Sequence, residues 1–144
     1  MQLDKFTDYG LRILMTLAVQ APDKISVARI AAIFGVSDNH LSKVATELVR
    51  AGYLISERGR GGGLRLAMKP EKISIGAVVR LLKSDAPVVE CLGVDRSCRI
   101  LPACGLRQPL RLAEEAFYSV LDDVTLADVI KKRTDLSELL TLNP

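Results

Sequence analysis

The chain contains few aromatic residues and few cysteines. It has no tryptophan, aromatic residues make up 4% of its 144 residues, and all three cysteines lie between residues 91 and 104. A core must therefore be built from Leu, Ile, Val and Ala, and apolar residues at 49% of the composition are sufficient for one. This length and composition predict one globular domain of a soluble protein.

Long apolar runs are also missing, and the first residues do not resemble a secretory leader. No stretch approaches the roughly 18 to 20 apolar residues of a membrane-spanning helix. The first residues, MQLDKFTDYGLR, mix acids and bases instead of forming a leader sequence. We therefore expect a cytoplasmic protein whose thiols stay reduced, and the odd number of cysteines further disfavours a disulfide framework.

Catalytic motifs are scarce. The chain has a single histidine, His40, and neither a nucleophile elbow nor a paired-carboxylate motif. Cysteine–histidine chemistry would have to join His40 to a distant cysteine. We therefore expect that the protein is not an enzyme.

The small positive charge is unevenly distributed. Residues 1–67 account for the whole net charge of +3, because they hold nine Lys/Arg and six Asp/Glu. Residues 68–144 hold eleven of each and are neutral overall. An excess of basic residues in the N-terminal half suits an anionic partner.

Two short helices follow a longer first helix. Apolar residues at three- and four-residue spacing predict that first helix over residues 4–20. Ser26 is placed to cap the second helix, Gly35 to stop it, and Ser37 to cap the third. Two short helices joined by a Gly-Val-Ser turn predict a helix-turn-helix.

The outward face of the third helix carries short polar and basic side chains, which suit base edges and phosphates. An ordinary helical hairpin with a solvated face is the alternative interpretation. The residues from which we expect DNA contacts in this region are Ser37, Asn39, His40, Ser42, Lys43 and Arg50.

A hairpin directly follows the third helix. Residues 53–57 and 64–67 are predicted to be strands, with an arginine- and glycine-rich tip between them. A hairpin in this place is a wing, whose glycines let the backbone approach DNA and whose Arg58 and Arg60 can neutralise phosphates or enter the minor groove. The tip lacks the spacing of a nucleotide-binding glycine loop and precedes a strand. A merely flexible hairpin tip remains the alternative.

An apolar seam marks a helix after the cysteines, at about residues 110–124. Its spacing of three, four, three, four is that of a helix pairing with a long partner helix. The seam spans about two heptads, so it could also pack on its own domain, but the dimers common among winged helix-turn-helix proteins favour a dimer helix. Its residues are Leu110, Ala113, Phe117, Val120 and Val124.

Capping residues complete the predicted architecture. Ser74 is placed to cap a short helix, Pro109 fits the first turn of the seam helix, and Thr125 with Asp128 forms a capping pair for a short final helix. The expected fold is mainly α with a small β-hairpin wing. It comprises a winged helix-turn-helix domain at 1–83 with its wing at 53–67, a cysteine-containing loop at 84–108, and a dimerisation helix with short C-terminal helices at 109–144.

The cysteines are spaced C-x6-C-x5-C in CLGVDRSCRILPAC. The surrounding glycine, proline and charged residues disfavour buried structural cysteines. Zinc sites usually show C-x2–4-C pairs, and a thiol redox switch would be more typical with C-x-x-C. An iron–sulfur cluster is larger than one ion and typically takes four thiolates, so three would leave one position to another ligand, a partner subunit or a small molecule. The residues alone leave these alternatives open.

Six stretches of the chain, in order, resemble one family. Together they are similar to the Rrf-type winged-helix regulators, and among these to the nitric-oxide-sensing repressors, nearly from end to end. Relatives with the same layout include the cluster-assembly regulator IscR and the rhizobial iron regulator RirA. The stretches are FTDYGLR (6–12), FGVSDNHLSKV (34–44), RAGYL (50–54), RGRGGGLRL (58–66), ILPACGL (100–106) and TLADV (125–129).

The resemblance implies a homodimer that reads a palindromic promoter site and holds one iron–sulfur cluster, [2Fe–2S] or [4Fe–4S], per subunit. By motif position the ligands are Cys91, Cys98 and Cys104. Attack by nitric oxide on the cluster would end DNA binding and release genes for nitric oxide detoxification. Because the gap between the first two cysteines varies within the family, an iron- or redox-responsive regulator is the alternative.

The resemblance also suggests a fourth ligand. Asp8, in the stretch FTDYGLR, is the candidate, supplied by the N-terminal helix of the partner subunit. The alternative is that Asp8 simply caps the first turn of its own helix, where negative charge is favourable.

Overall fold

The computed structural model describes residues 3–83, 87–94 and 96–141. The expected fold class is confirmed: these residues form seven α-helices and one two-stranded antiparallel hairpin. The predicted domain boundary at residue 84 lies outside the described residues. In chain order the elements are α1 (Lys5–Val19), α2 (Val27–Phe34), α3 (Asp38–Arg50), β1 (Leu54–Glu57), β2 (Gly63–Leu66), α4 (Ile75–Leu82), α5 (Arg107–Asp122), α6 (Leu126–Val129) and α7 (Arg133–Leu139).

The helix starts follow the capping residues. Asp4, and not Asp8, caps α1, because its Oδ1 accepts from the Thr7 amide at 2.7 Å. Ser26 caps α2 by accepting from the Arg29 amide at 3.2 Å, and Gly35 ends that helix with φ at +62°. Ser37 takes the N-cap position of α3, but within the described chain its hydroxyl makes no capping hydrogen bond, so that part of the prediction is wrong.

The wing is anchored to the helical core by a third chain segment. β1 and β2 pair in the register Leu54↔Leu66 and Glu57↔Gly63, so the strands are close to those expected. Ile25, just before α2, adds an isolated bridge to Leu64 on the other edge of β2. Leu54 and Leu64 are 2% and 3% exposed, so the base of the hairpin belongs to the core.

The core lies where α1, α3 and α4 meet. The predicted periodicity is confirmed, because the buried residues of each helix repeat at three- and four-residue spacing. This packing leaves the opposite face of α3 in solvent. The most deeply buried side chains include Ile13, Leu14, Leu17, Ile30, Val44, Leu48, Ile73, Val78, Val79 and Leu126.

The last turn of α5 lies directly on the first turn of α4. A Cβ on Gly76 would come within 2.7 Å of the Cα of Asp122, so only glycine permits this approach. The Ser74 hydroxyl, which also accepts from the Ala77 amide to cap α4, donates to the Asp122 carbonyl at 2.9 Å. The two helices are therefore in backbone contact at this end.

A cluster around Arg80 extends the contact between α4 and α5. Nη2 of Arg80 donates to Asp122 Oδ2 and to Glu115 Oε1, each at 2.9 Å, and the bond from Arg80 holds the pKa of Asp122 below its usual value. The Arg80 guanidinium and the Lys83 ammonium lie 4.8 Å and 4.7 Å from the centre of the buried Tyr118 ring. Polar and cation–π contacts thus fix the rotation of α5.

The predicted apolar seam is divided between two environments. α5 begins at Arg107, three residues before the expected start, and Pro109 lies in its first turn as predicted. Phe117 and Val124 pack against the core of their own chain. Val120 instead remains 70% exposed.

The C-terminal segment returns to the end of α1. Thr125 and Asp128 form the expected reciprocal capping box at the start of α6. Arg133 then donates from Nε to the Val19 carbonyl at 2.9 Å and from Nη2 to the Ala21 carbonyl at 2.7 Å. These bonds satisfy carbonyls that the end of α1 leaves without helical partners. Among the described residues, no helix is long and apolar enough to cross a bilayer.

The contact at Gly76 predicts the sign of a stability change. Alanine in place of glycine usually stabilises a helix by roughly 0.5–1 kcal/mol. Gly76→Ala should instead lower the free energy of unfolding by about 1–3 kcal/mol, because its Cβ meets the backbone of Asp122. Urea denaturation measures this. Gly105→Ala is the control, because a Cβ there meets nothing within 4 Å; a stabilised Gly76→Ala variant would contradict the close approach of α5.

Candidate DNA-binding surface and cysteine loop

The exposed face of α3 carries the side chains expected to contact DNA. Packing of Leu41, Val44, Ala45 and Leu48 into the core turns this face outward. Arg50 also forms an ion pair with Glu47 at 2.6 Å, so part of its hydrogen-bonding capacity is used within the helix. The residues of the sequence prediction on this face are all exposed: Ser37, Asn39, His40, Ser42, Lys43 and Arg50.

The wing tip is a closed turn. The Gly62 amide donates to the Gly59 carbonyl at 2.9 Å, and Gly59 and Gly61 adopt φ of +94° and +76°, which other residues rarely reach. Arg58 and Arg60 are exposed on this turn. The glycine run therefore forms a turn whose backbone conformation favours glycine at two of its positions.

An ionic cluster supports the base of the wing. Glu57, the last residue of β1, accepts hydrogen bonds from Lys24 and from Arg65 Nε, the latter at 3.0 Å. The bond from Lys24, followed by that from Arg65, holds the pKa of Glu57 below its usual value. The carboxylate thus engages two nearby cations and leaves the arginines of the tip for an external anion.

The predicted recognition helix, α3, and the wing face one groove of about 340 Å³. Ser42 and Thr46 from α3 line it together with Arg58 from the wing. The structure therefore unites two parts of the predicted DNA surface that are separated by a dozen or more residues in sequence. Thr46 is an exposed polar residue of α3 and lies on the same helical face as the predicted site residues.

Two further basic residues adjoin this surface. Lys5 lines an apolar cleft of about 270 Å³ together with His40 and Lys43. Arg29, at the start of α2, lines another cleft with Gly61 of the wing tip. Sequence reasoning missed both residues, because only the packing of α1 and α2 against the rest of the domain brings them to this surface.

The three cysteines have free thiols, and none is fully buried. Cys91 is half-buried in the 3-10 turn Glu90–Leu92, Cys98 is exposed, and Cys104 is half-buried just after the 3-10 turn Leu101–Ala103. Their placement does not fit cysteines that merely fill a core.

The first and third cysteine segments both adjoin the start of α5. Nε of Arg107 donates to the Cys91 carbonyl at 3.2 Å. Cys104 lines a cleft of about 550 Å³ with Leu101 and with Arg107, Gln108 and Arg111 of α5. A role for Arg107 was not predicted from the sequence. The only indication in the sequence is that a basic residue stands in the first turn of a helix, where a cation is unfavourable.

The donor chemistry of the loop is compatible with an iron–sulfur cluster. In the described part of the chain, no three His, Cys, Asp or Glu side chains lie close enough together to hold one metal ion. Reduced cysteines on an irregular loop are nevertheless the ligand type that such clusters take, and a cluster accepts ligands that are farther apart.

Asp8 lies in the first turn of α1 with its carboxylate half-exposed. Its Oδ2 pairs with Arg12 Nη2 at 2.8 Å, and the Arg12 guanidinium lies 5.2 Å from the centre of the Phe34 ring. Asp4 makes the capping hydrogen bond of α1, and the negative charge of Asp8 stands in the first turn of the helix, where the alternative interpretation places it. The Asp8 side chain remains accessible to another subunit.

Comparisons with known proteins match nearly the whole chain. The family model described as "Rrf2: Iron-dependent Transcriptional regulator" matches residues 3–132. The HTH-type transcriptional regulator NsrR of Bacillus subtilis (strain 168) is 44% identical over 144 residues, which cover 99% of each chain. The same-named protein of Geobacillus kaustophilus (strain HTA426) is 45% identical over 142 residues, covering 97% of each.

Solved structures share the fold. A putative transcriptional regulator from Listeria innocua superposes with a TM-score of 0.73 at 30% identity, covering 91% of this chain and 87% of its own. IscR from T. potens superposes with a TM-score of 0.72 at 24% identity, covering 100% of this chain and 94% of its own.

The geometry of the wing predicts how its arginines contribute to DNA binding. Arg58→Ala and Arg60→Ala should each weaken binding to a promoter fragment and reduce the slope of log K against log salt by about 0.9 for each phosphate that is no longer neutralised. Fluorescence anisotropy at several salt concentrations measures both quantities. Lys131→Ala is the control, because the substitution removes one positive charge, as the arginine variants do. Lys131 is exposed, pairs with Asp128 and lies far along the chain from the wing.

A second comparison separates the wing from the recognition helix. Asn39→Ala or Ser42→Ala should reduce the preference for the specific site over an unrelated sequence and leave the salt slope unchanged, since base contacts carry sequence information. The reverse assignment, with relaxed specificity from the wing variants and a flattened slope from the helix variants, would show that the DNA surface is placed wrongly.

Proposed function

Since the chain belongs to the Rrf2 family of iron-dependent transcriptional regulators, we propose that it is a repressor that loses DNA binding when nitric oxide reacts with an iron–sulfur cluster held by its cysteine loop. The family is one of DNA-binding regulators, and the chain is not an enzyme. The observation that carries the proposal is the position of three free cysteines on the one loop that joins the winged domain to α5.

The proposed DNA contacts follow from the exposed surface of α3 and the wing. The first half of α3 would enter the major groove, since recognition helices contact bases through their N-terminal residues. Ser37, Asn39, His40, Ser42 and Lys43 lie in that half or at its cap. Arg58 and Arg60 would meet the backbone or the adjacent minor groove.

The proposed cluster ligands are Cys91, Cys98 and Cys104. When bound, a [2Fe–2S] or [4Fe–4S] cluster with three thiolate ligands supplies iron that nitric oxide can attack, because one coordination position lacks a thiolate. The contribution of the chain is to hold the loop in one arrangement. Two of its segments already lie against α5 through Arg107 and Cys104.

The loop is placed to control the spacing of two recognition helices. It connects α4, which belongs to the winged domain, with α5, the proposed dimerisation helix. α5 displays Leu112 and Val120, which are 56% and 70% exposed and lie eight residues apart, within one broad apolar stripe that a partner helix could cover. Half-sites in DNA lie about 34 Å apart, so a small rotation at α5 would move one recognition helix out of register.

An iron- or redox-responsive regulator remains the second candidate. It is favoured by the accessibility of the thiols, since Cys98 is exposed and the other two are half-buried. The two candidates share the DNA surface and differ only in the signal that changes the loop.

The central prediction concerns DNA affinity. Protein purified without oxygen and carrying its cluster should bind a promoter fragment, and titration with nitric oxide should abolish that binding in proportion to the change in visible absorbance. The measurement is anisotropy at one fixed salt concentration. Iron chelation and mild peroxide are the comparison arms, and a response to either of these without a response to nitric oxide would favour the second candidate. Equal affinity of apo and cluster-loaded protein would refute both.

The role of Asp8 predicts a spectroscopic change. Asp8→Ala should alter the visible spectrum of the cluster and speed its loss, if the partner's carboxylate completes the coordination. The exposed pair with Arg12 contributes less than about 1 kcal/mol, so the variant should fold normally. Asp23→Ala is the control, because this exposed carboxyl lies in the turn after α1. An unchanged cluster in Asp8→Ala would eliminate the ligand role.

A further inference from the structure

The first turn of α5 contradicts the usual distribution of charge in helices. The positive end of a helix dipole favours acidic residues and disfavours cations. This 16-residue helix nevertheless begins with Arg107, its first turn reads RQPL, and Leu106 at the N-cap has no side chain that can cap it. The positive charge of Arg107 is therefore unfavourable at this position. A residue that contradicts a local preference is expected to have a compensating contact elsewhere in the structure.

The compensating contact is with the first cysteine segment. Nε of Arg107 donates to the Cys91 carbonyl at 3.2 Å, across sixteen residues of chain. The segment that it holds is a short turn closed by two backbone bonds, from the Leu92 amide to the Val89 carbonyl at 2.9 Å and from the Gly93 amide to the Glu90 carbonyl at 3.0 Å. A single side chain thus fastens a preformed turn to α5.

The third cysteine lies beside the same guanidinium. Cys104 and Arg107 line one cleft, and both side chains are half-buried. Among the described residues Arg107 takes part in no ion pair, so its contact with the turn is not a by-product of a salt bridge. Arg111, one turn farther along α5, lines the same cleft without a hydrogen bond to Cys91 in the described residues.

We propose that Arg107 is a positioning residue that fastens the Cys91 turn, next to Cys104, to the first turn of α5, so that the cysteine loop and α5 move as one unit. The inference deepens the proposed function, on which it rests, by naming the link through which the state of the loop would reach the dimerisation helix. The fastening itself belongs to the chain and is present before any cluster is bound.

The fastening is tested first on the apo protein by limited trypsin digestion. Trypsin can cut the loop after the exposed Arg96 and Arg99, and the wing after the exposed Arg58 and Arg60. Arg107→Ala should speed loop cleavage roughly fivefold, the factor expected for the loss of one ordinary hydrogen bond. The rate of wing cleavage should not change, and it serves as the internal reference for global unfolding.

Two further variants sharpen the result. Arg111→Ala removes the same charge from the same cleft and should leave loop cleavage unchanged. Arg107→Lys keeps a donor and should restore part of the protection. Equal loop cleavage in Arg107→Ala and Arg111→Ala, or acceleration of loop and wing together, would overturn the proposal.

A second readout uses the cluster-loaded protein. The visible circular dichroism of the cluster should change in Arg107→Ala, and its loss in air should be faster than in Arg111→Ala. Identical spectra and loss rates in the two variants would contradict the proposed positioning of Cys91. If the wild-type chain takes up no cluster, the proposed function fails while the trypsin experiment still decides whether Arg107 fastens the loop.

Discussion

The arrangement of this protein depends on the contact between α4 and α5. Gly76 lets the backbone of Asp122 lie against the start of α4, and Arg80 joins Asp122 and Glu115 from one turn farther on. Tyr118 fills the space beneath the guanidinium. Because α4 is packed into the winged domain, this contact fixes the direction in which α5 leaves it. In the proposed dimer, the distance between the two recognition helices would then depend on these few residues.

The cysteine loop occupies the other end of the same connection. It leaves α4 after Leu82 and reaches α5 at Arg107, so its two ends are fixed by the helices whose relative placement would set the spacing of the recognition helices in the proposed mechanism. α1 also contributes to this region: a Cβ on Gly10 would collide with the side chain of Leu82, which shows how closely α1 packs against the end of α4. A change in the loop can therefore act on a packed junction, and packed junctions shift between discrete arrangements more readily than they deform.

Local rules in the sequence predicted much of the fold. Ser26, Gly35, Ser74 and the Thr125–Asp128 box act within three or four residues of chain, so their positions in the sequence were sufficient to place helix ends. The apolar seam was less certain, because periodicity identifies an apolar face but not what covers it. Phe117 turned out to pack on its own core, whereas Val120 stays exposed.

The sequence by itself determined the helix-turn-helix, the wing and the existence of an isolated cysteine loop, since each depends on nearby residues and on composition. Only the tertiary structure decided which distant groups meet. It brought Lys5 to His40, Arg80 to Asp122 and Arg107 to Cys91. Contacts between separate segments depend on how whole helices pack, and no short stretch of sequence encodes that.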